Sequence, residues 1–177
     1  GGNEVLGCDL DEACIEYSNK RGISCLAGSI DAFVDRGVRA DLIILSHLFE
    51  HVGKPFEFIV TLGEILREEG KVYVEVPDLR NRDVNFFKTL QVAHLYYYDP
   101  VTLRYVMGKM GFECLKGVEI IQPLFSRSNR EVSVDLTGNF QLNLAVIEGW
   151  AGRGEFSAYE RNGQKGASFK NLTKQRA

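Results

Sequence analysis

Short hydrophobic runs alternate, along the first two thirds of the chain, with segments in which hydrophobic residues recur every three or four positions. The short runs predict buried strands, and the longer repeats predict amphipathic helices. We predict strands over Glu4–Cys8, Ile23–Ala27, Asp41–Leu45 and residues 71–76. Strands that alternate with helices in this way are typical of an α/β fold with a mostly parallel sheet.

Three helices are predicted from their start and stop signals, over residues 12–21, 55–69 and 100–110, and a weak helical turn is predicted over residues 30–36. Asp11 and Asp99 are good N-cap residues. Pro55 and Pro100 suit the first helical position, where a backbone N–H is not needed. The helices are therefore expected to cover the sheet between its strands.

The run Leu42–Leu45 contains no polar residue, so we expect its strand to be covered on both faces, as in parallel sheets. After Phe112 the pattern changes to one strand after another. We predict these strands over Glu113–Ile121, residues 131–136 and residues 140–148, with polar turns between them. The sheet is therefore expected to end in an antiparallel strand pair.

We assign residues 1–150 to this domain and residues 151–177 to a flexible tail, because the last segment is polar, basic and without a hydrophobic stripe. The net charge of -3 does not favour general nucleic-acid binding. No hydrophobic run is long enough to span a membrane. We expect a cytoplasmic protein, and the sequence does not indicate an oligomeric state.

The cysteines at positions 8, 14, 25 and 114 have no C-x-x-C spacing. We expect them to be reduced and mostly buried, in keeping with a cytosolic protein.

One segment allows a metal-site interpretation, since His47, Glu50 and His51 spell H-x-x-E-H, a zinc-peptidase motif. That motif needs both histidines on one face of a helix. Here the motif follows a predicted strand, and Pro55 begins the next helix soon after it. We therefore expect Glu50 and His51 to stabilise a loop, and we assign no metal ligands.

The residues that end the predicted strands are candidates for ligand binding, because ligands of α/β folds lie beyond the carboxyl ends of parallel strands. They are Asp9, the turn at residues 28–30, Ser46 with His47, and Asp78. A carboxylate such as Asp9 can accept hydrogen bonds from two vicinal hydroxyls of a ribose. Initiation of a turn is an equally good explanation of Asp9.

Five segments together resemble the class I S-adenosylmethionine (SAM)-dependent methyltransferases, in their small-molecule branch. They are "VLGCDLDEACIEYSNKRG", "CLAGSIDAF", "ADLIILSHLFEHV", "EEGKVYVEVPDL" and "HLYYYDPVTLRYVMGKMGFE", and they cover about Glu4–Glu113 in the family's order. The later segment "GNFQLNLAV" is similar to the family's last antiparallel strand. The resemblance implies a Rossmann-like sheet, SAM as the cofactor and methyl transfer to a small-molecule acceptor.

The resemblance also implies roles for individual residues. Asp9 would bind the ribose and Leu10 would pack on the adenine, whose edge the turn at Ser29 and Ile30 would hold. The family usually has an aspartate where Ser29 stands. Ser46 and His47 would flank the methionine part of the cofactor and face the acceptor. Some members of the family hold a divalent ion near the loop that follows, where Glu50 with His51 could assist; we favour the loop-stabilising role of these two residues.

The acceptor side is implied by the segment "AHLYYYDP", which is similar to a family element near the acceptor. His94 is our candidate general base, with His47 as a second catalytic candidate. A histidine that orients a loop is the alternative interpretation of His94. We expect the acceptor pocket to involve Asp78 and three tyrosines, Tyr96, Tyr97 and Tyr98. A sugar, glycan or secondary metabolite would suit these groups.

The chain departs from the family at its front, where the glycine-rich loop between the first strand and the first helix is absent. We expect a fold that lacks this strand and loop, in a fragment that binds the cofactor poorly while its full-length parent methylates. A non-catalytic scaffold with a decayed methyltransferase fold is the alternative. A nicotinamide-dependent oxidoreductase fits less well, because its sheet normally continues with parallel strands.

Overall fold

The computed structural model describes residues 2–81, 90–117 and 121–152. In chain order the regular elements are β1 (Leu6–Asp9), α1 (Glu12–Asn19), β2 (Ser24–Ala27), α2 (Asp31–Asp35), β3 (Ala40–Ser46), α3 (Pro55–Ile65), β4 (Leu66–Glu75), α4 (Pro100–Lys109), β5 (Phe112–Lys116), β6 (Leu124–Arg127) and α5 (Asn139–Gly152). A 3-10 helix, Phe49–His51, lies between β3 and α3.

The strands form two sheets. β1 pairs in parallel with β2, while the larger sheet has the order β3-β4-β6-β5. β3 and β4 are parallel, and β6 is antiparallel to both of its neighbours. The predicted α/β fold, with parallel strands first and an antiparallel portion last, is confirmed. Among the described residues β1 and β2 form a sheet of their own, and β3 is an edge strand of the larger sheet.

Helices α1, α3 and α4 begin where the sequence predicts. The Asp11 side chain accepts a hydrogen bond from Ala13 N at the start of α1. At the start of α4, Asp99 and Thr102 form a reciprocal capping box, with Pro100 at the first helical position. Both caps satisfy backbone N–H groups that have no partner within the helix.

The main core lies between the larger sheet and the helices α3 and α4. Its fully buried members come from all of these elements: Ile59, Leu62, Val72, Val74, Leu103, Met107 and Phe125. Ile30 belongs to the same cluster, and Phe33 and Val34 of α2 pack against it. The turn after β2 is therefore attached to the core of the larger sheet.

The expectation that β3 is covered on both faces is wrong for the described structure. Leu45 is buried, but Leu42 and Ile44 are 51% and 62% exposed. Successive side chains of a strand point to opposite faces. One face of β3 therefore packs on the core, whereas its other face presents these hydrophobic side chains to solvent.

Of the three strands predicted after Phe112, the first is present in part as β5, and the other two are wrong. Residues 131–136 form no regular element, and residues 140–148 lie inside helix α5. The last antiparallel strand is β6, within a segment predicted as a turn. The alternation in "FQLNLAV" fits period two, but Asn139, Asn143, Val146, Ile147 and Trp150 share one helical stripe that makes tertiary contacts.

Two smaller expectations are corrected. Helix α3 ends at Ile65, before Gly70, because the chain passes at once into β4. The cysteines are free, but Cys14 is exposed and the other three are only partly buried. The proposed tail, 151–177, lies almost wholly outside the described residues. No helix among the described residues has the length and hydrophobicity that a membrane span needs.

Candidate active site

The ends of β1 and β2 bring together the four residues that were predicted to bind ribose and adenine. Asp9 is in register with Ala27, and the Asp9 carbonyl accepts a hydrogen bond from Gly28 N at 2.9 Å. Gly28 has a φ of 124°, a conformation that favours glycine, and it turns the chain toward Ser29 and Ile30. The strand pairing therefore sets the turn beside Asp9.

The side chains of this group are available to different degrees. Asp9 is exposed, and its Oδ1 accepts a hydrogen bond from Asp11 N at 2.8 Å. Leu10 is 81% exposed. The Ser29 hydroxyl donates to Asp31 Oδ2 at 2.6 Å, and the Ile30 side chain is buried in the core. Asp9 thus offers its second carboxylate oxygen to a ligand at this edge of the sheet. Leu10 offers an exposed hydrophobic side chain beside it.

A second group lies at the end of β3. Ser46 is in register with Glu75, and its hydroxyl donates to Glu75 Oε2 at 2.9 Å. Gln122 donates to Glu75 Oε1 at 2.5 Å. His47 N donates to the Glu75 carbonyl at 2.8 Å, and His47 has a φ of 51°, in the left-handed region. Such strain in a non-glycine residue is common at functional sites.

The tyrosine segment packs against the loop that follows β3. The Tyr96 hydroxyl donates to the Gly53 carbonyl at 3.2 Å, and the Tyr97 hydroxyl donates to the Gln91 carbonyl at 2.9 Å. Tyr98 is buried and stacks on Phe49, with ring centroids 5.4 Å apart. Burial raises the pKa of the Tyr98 hydroxyl, with smaller contributions from Tyr96 and Glu50. Tyr96 is the most exposed of the three.

Asp78 lies next to this segment. It forms a β-bridge with Tyr98, and Leu79 N donates to the Tyr98 carbonyl at 2.9 Å. The Asp78 carboxylate accepts a hydrogen bond from Arg80 N at 2.8 Å. Asp78 and the tyrosines are therefore neighbours, as the prediction of a shared acceptor pocket requires.

All three histidines of the chain face Glu50. The distances from Glu50 Oε1 are 3.6 Å to His47 Nδ1, 3.8 Å to His51 Nε2 and 3.9 Å to His94 Nε2. Glu50 is 1% exposed and His94 is 9% exposed, whereas the His47 side chain is 60% exposed. The carboxylate therefore lies beneath the surface, with His47 on its solvent side.

Backbone contacts hold this histidine cluster together. The Glu50 carbonyl accepts hydrogen bonds from Leu95 N at 2.9 Å and from Tyr96 N at 3.2 Å. His51 Nδ1 lies 2.9 Å from the Ala93 carbonyl oxygen. The segment that carries His94 is thus tied to the 3-10 helix that carries Glu50.

These two strand-end groups can be compared with known proteins. A family model described as a methyltransferase domain matches residues 4–116. The chain belongs to this methyltransferase family. The match contains Asp9, the turn after β2, the histidine cluster and the tyrosine segment. No curated protein matches the chain.

Solved methyltransferases have similar folds. A SAM-dependent methyltransferase from Archaeoglobus fulgidus is 17% identical, with a TM-score of 0.50 over 61% of this chain and 50% of its own. A SAM-dependent methyltransferase from Thermotoga maritima, described as a possible histamine N-methyltransferase, is 20% identical, with a TM-score of 0.50 over 72% of this chain and 68% of its own. DhpI in complex with SAH is 16% identical, with a TM-score of 0.51 over the same shares.

The resemblance to class I SAM-dependent methyltransferases is confirmed in family and fold. The predicted cofactor, SAM, is also the one on which the Archaeoglobus and Thermotoga methyltransferases depend. Because these sequence identities are low, the solved structures show only that the chain has a similar fold. The chain spans half the length of the Archaeoglobus methyltransferase.

The methyltransferase fold explains the H-x-x-E-H letters without a peptidase. His47 adopts a left-handed conformation after β3, while Glu50 and His51 belong to a three-residue 3-10 helix. The two histidines therefore do not share one face of an α-helix, as the peptidase motif requires.

A second polar network of the methyltransferase lies behind the tyrosine segment. Asp99 is fully buried, and its carboxylate accepts hydrogen bonds from Asn143 Nδ2 at 2.7 Å and Asn139 Nδ2 at 3.2 Å. Arg80 Nη2 lies 3.4 Å from Asp99 Oδ1. Burial would raise the pKa of Asp99, but the hydrogen bonds from the two asparagines, Val101 and Thr102 outweigh it and lower that pKa.

Several residues of the site were not predicted. Glu75 looked like an ordinary member of a strand, and Gln122 lies far from it in the sequence. Their contact depends on which strands are neighbours, and local patterns do not encode this. The sequence does mark Glu50, because this acidic residue lies between His47 and His51. The local sequence does not indicate that Glu50 is buried.

Proposed function

We propose that this methyltransferase domain transfers a methyl group from SAM to a small-molecule acceptor. The observation that carries the proposal is that the family match, over residues 4–116, includes two groups of polar side chains that follow the carboxyl ends of parallel strands. That edge is where α/β folds bind their ligands.

On the cofactor side, we propose that Asp9 accepts hydrogen bonds from the ribose hydroxyls. Its exposed carboxylate keeps a free acceptor oxygen beside the one bonded to Asp11 N. Leu10 would cover one face of the adenine, and the backbone of the turn at Ser29 and Ile30 would hold its edge. Ser46 and His47 would flank the methionine part.

Methyl transfer from a sulfonium is an in-line displacement with a neutral thioether as the leaving group, so the protein mainly has to position the two reactants. A general base is needed when the acceptor retains a proton. We propose a histidine as this base. His47 is exposed, and with Nδ1 directed at Glu50 its Nε2 is free to meet an acceptor. His94, the other candidate, is buried.

We propose that the acceptor lies against Tyr96 and Tyr97, with Asp78 nearby. Tyr98 is buried and stacks on Tyr96, so it would support this wall rather than contact the acceptor. Aromatic faces beside a carboxylate suit a sugar, a glycan or a hydroxylated secondary metabolite. Only Tyr96 offers a substantially exposed ring, so it is the first of the three that an acceptor would meet.

The test is methyl transfer from radiolabelled SAM by the full-length protein, measured against panels of sugars, phenols and amines. We expect a labelled product in one acceptor class. His47→Gln should lower kcat and remove the acidic limb of the pH profile, whereas His94→Gln should leave that limb in place if His47 is the base.

A different outcome would support the scaffold alternative. If the full-length protein neither binds SAM nor labels any acceptor class, the methyltransferase proposal is wrong. If it labels an acceptor and His94→Gln alone removes the acidic limb, the base is His94 rather than His47.

A further inference from the structure

The Glu50 carboxylate is buried without a hydrogen-bond partner among the described residues. Neither of its oxygens forms a hydrogen bond with any described residue, and His94 Nδ1 also lacks one. The three histidine nitrogens near Glu50 are 3.6 to 3.9 Å away, beyond the usual length of a hydrogen bond. A buried carboxylate without a hydrogen bond needs a positive partner, which is either a protonated histidine of this cluster or a bound cation.

The hydrogen bond of His51 indicates what kind of group this is. The Ala93 carbonyl can only accept, so His51 Nδ1, at 2.9 Å, carries the proton. In the neutral ring, His51 Nε2 then presents a lone pair, and this atom faces Glu50 Oε1 at 3.8 Å. Two acceptors that face each other across this distance need a positive species between them, either a second proton on the His51 ring or a metal ion, and only the metal ion can also engage His94.

The donor atoms are arranged closely enough for one ion. One atom each from Glu50, His51 and His94 lies within 4.8 Å of the others. Ligands at about 2.0–2.2 Å from one metal are roughly 3–3.6 Å apart, so small side-chain movements would bring the three into contact with it. The His51 contact with a backbone carbonyl also matches the way a ligating histidine is usually held.

We propose that Glu50, His51 and His94 bind a divalent metal ion of the zinc class. Two imidazoles and one carboxylate suit zinc, cobalt or nickel, whereas magnesium and calcium prefer oxygen ligands throughout. Three protein ligands leave at least one position open. His47, on the exposed side of Glu50, lies next to that position.

This inference does not depend on methyl transfer, but it affects the assignment of the base. A His94 ring that binds a metal through Nε2 does not act as the base through that nitrogen. His47 then remains as the histidine that can accept a proton from an acceptor. Metal binding and methyl transfer can therefore fail independently of each other.

The test is a calorimetric titration of chelator-treated protein with zinc chloride, in the absence of SAM and acceptor. We expect one equivalent to bind with a Kd in the micromolar range or below. Cobalt chloride should give visible absorption bands from bound Co²⁺, and magnesium chloride should not compete. Glu50→Gln should weaken zinc binding roughly 100-fold or more, since even outer partners of metal ligands are worth 10–100-fold.

The matched control is Glu57→Gln. Glu57 is an exposed residue of α3, and its carboxylate pairs with Lys54. The control variant should bind zinc like the unchanged protein. His51→Ala changes a half-exposed ligand and provides a second variant if Glu50→Gln does not fold. Absence of zinc binding, or zinc binding that survives both ligand variants, for example at the free cysteines, would overturn the proposal.

Discussion

His47 combines a strained backbone with a candidate catalytic ring. Its φ of 51° places it in the left-handed region, where a side chain costs about 1–2 kcal/mol. The backbone is held there because His47 N bonds to the Glu75 carbonyl at 2.8 Å. His47 lies directly after the end of β3, at the edge of the sheet where ligands of α/β folds bind. Backbone strain at this position is consistent with a functional role for the His47 ring.

Glycine at this position should remove the strain. We expect His47→Gly to be more stable than His47→Ala by up to about 1 kcal/mol, because both lose the ring but only glycine adopts this conformation freely. The measurement is urea unfolding followed by circular dichroism. Equal stabilities of the two variants would show that His47 is not strained in solution.

Asp99 should contribute to stability in a pH-dependent way. The folded-state pKa of Asp99 lies below its ordinary value of 3.8, so its contribution is complete above that value. It is lost as the pH falls through the folded-state pKa. We expect Asp99→Asn to lower the free energy of unfolding by about 2–4 kcal/mol near neutral pH, since buried charge-assisted hydrogen bonds are removed.

The pH profile separates this effect from a general loss of packing. Between about pH 5 and pH 3, the free energy of unfolding of Asp99→Asn should fall less steeply than that of the unchanged protein. Asp35→Asn, at an exposed position of α2, should retain the original slope. An Asp99→Asn variant with an unchanged slope would contradict the lowered pKa.

The positions of residues at strand ends could be predicted where the local sequence marks the end of a strand. Asp9 and the Gly28–Ile30 turn follow strands, and their proximity follows from parallel pairing alone. The Glu75 contacts and the burial of Glu50 depend on how distant segments pack. These contacts could not be obtained from the local sequence.

At the scale of elements, helix α5 shows where periodicity misleads. Alternating residues in "FQLNLAV" predict a strand, yet Asn139 and Asn143 are one helical turn apart and both bond to Asp99. Trp150, farther along the same stripe, is fully buried in a cluster with Leu79. The tertiary contacts of this stripe outweigh the local alternation, as commonly occurs for short hydrophobic segments.

The single tryptophan makes the packing of α5 measurable. Because Trp150 is fully buried, its fluorescence should shift to the red on unfolding, at the same urea concentration as the loss of circular dichroism. Trp150→Ala should lower the free energy of unfolding by about 3–5 kcal/mol. A fluorescence transition at clearly lower urea would mean that α5 detaches before the sheet unfolds.

At the scale of the whole molecule, the class of fold could be predicted well, since alternating strands and helices carry strong periodic signals. The exposure of one face of β3 could not be predicted, because a run such as "LIIL" does not show which of its faces a helix covers. The described strands form two sheets, β1-β2 and β3-β4-β6-β5. We propose that the molecule binds its cofactor at the carboxyl ends of the parallel strands of these sheets.

The most direct test of that claim is a calorimetric titration of the full-length protein with SAH, comparing Asp9→Asn with Asp35→Asn. Asparagine can keep the bond from Asp11 N, but it removes the charge that would bind the ribose. We expect Asp9→Asn to weaken binding roughly 10- to 100-fold, as for the loss of a charge-assisted hydrogen bond, and Asp35→Asn to bind normally. Undetectable binding by the unchanged protein, or equal binding by both variants, would contradict the account.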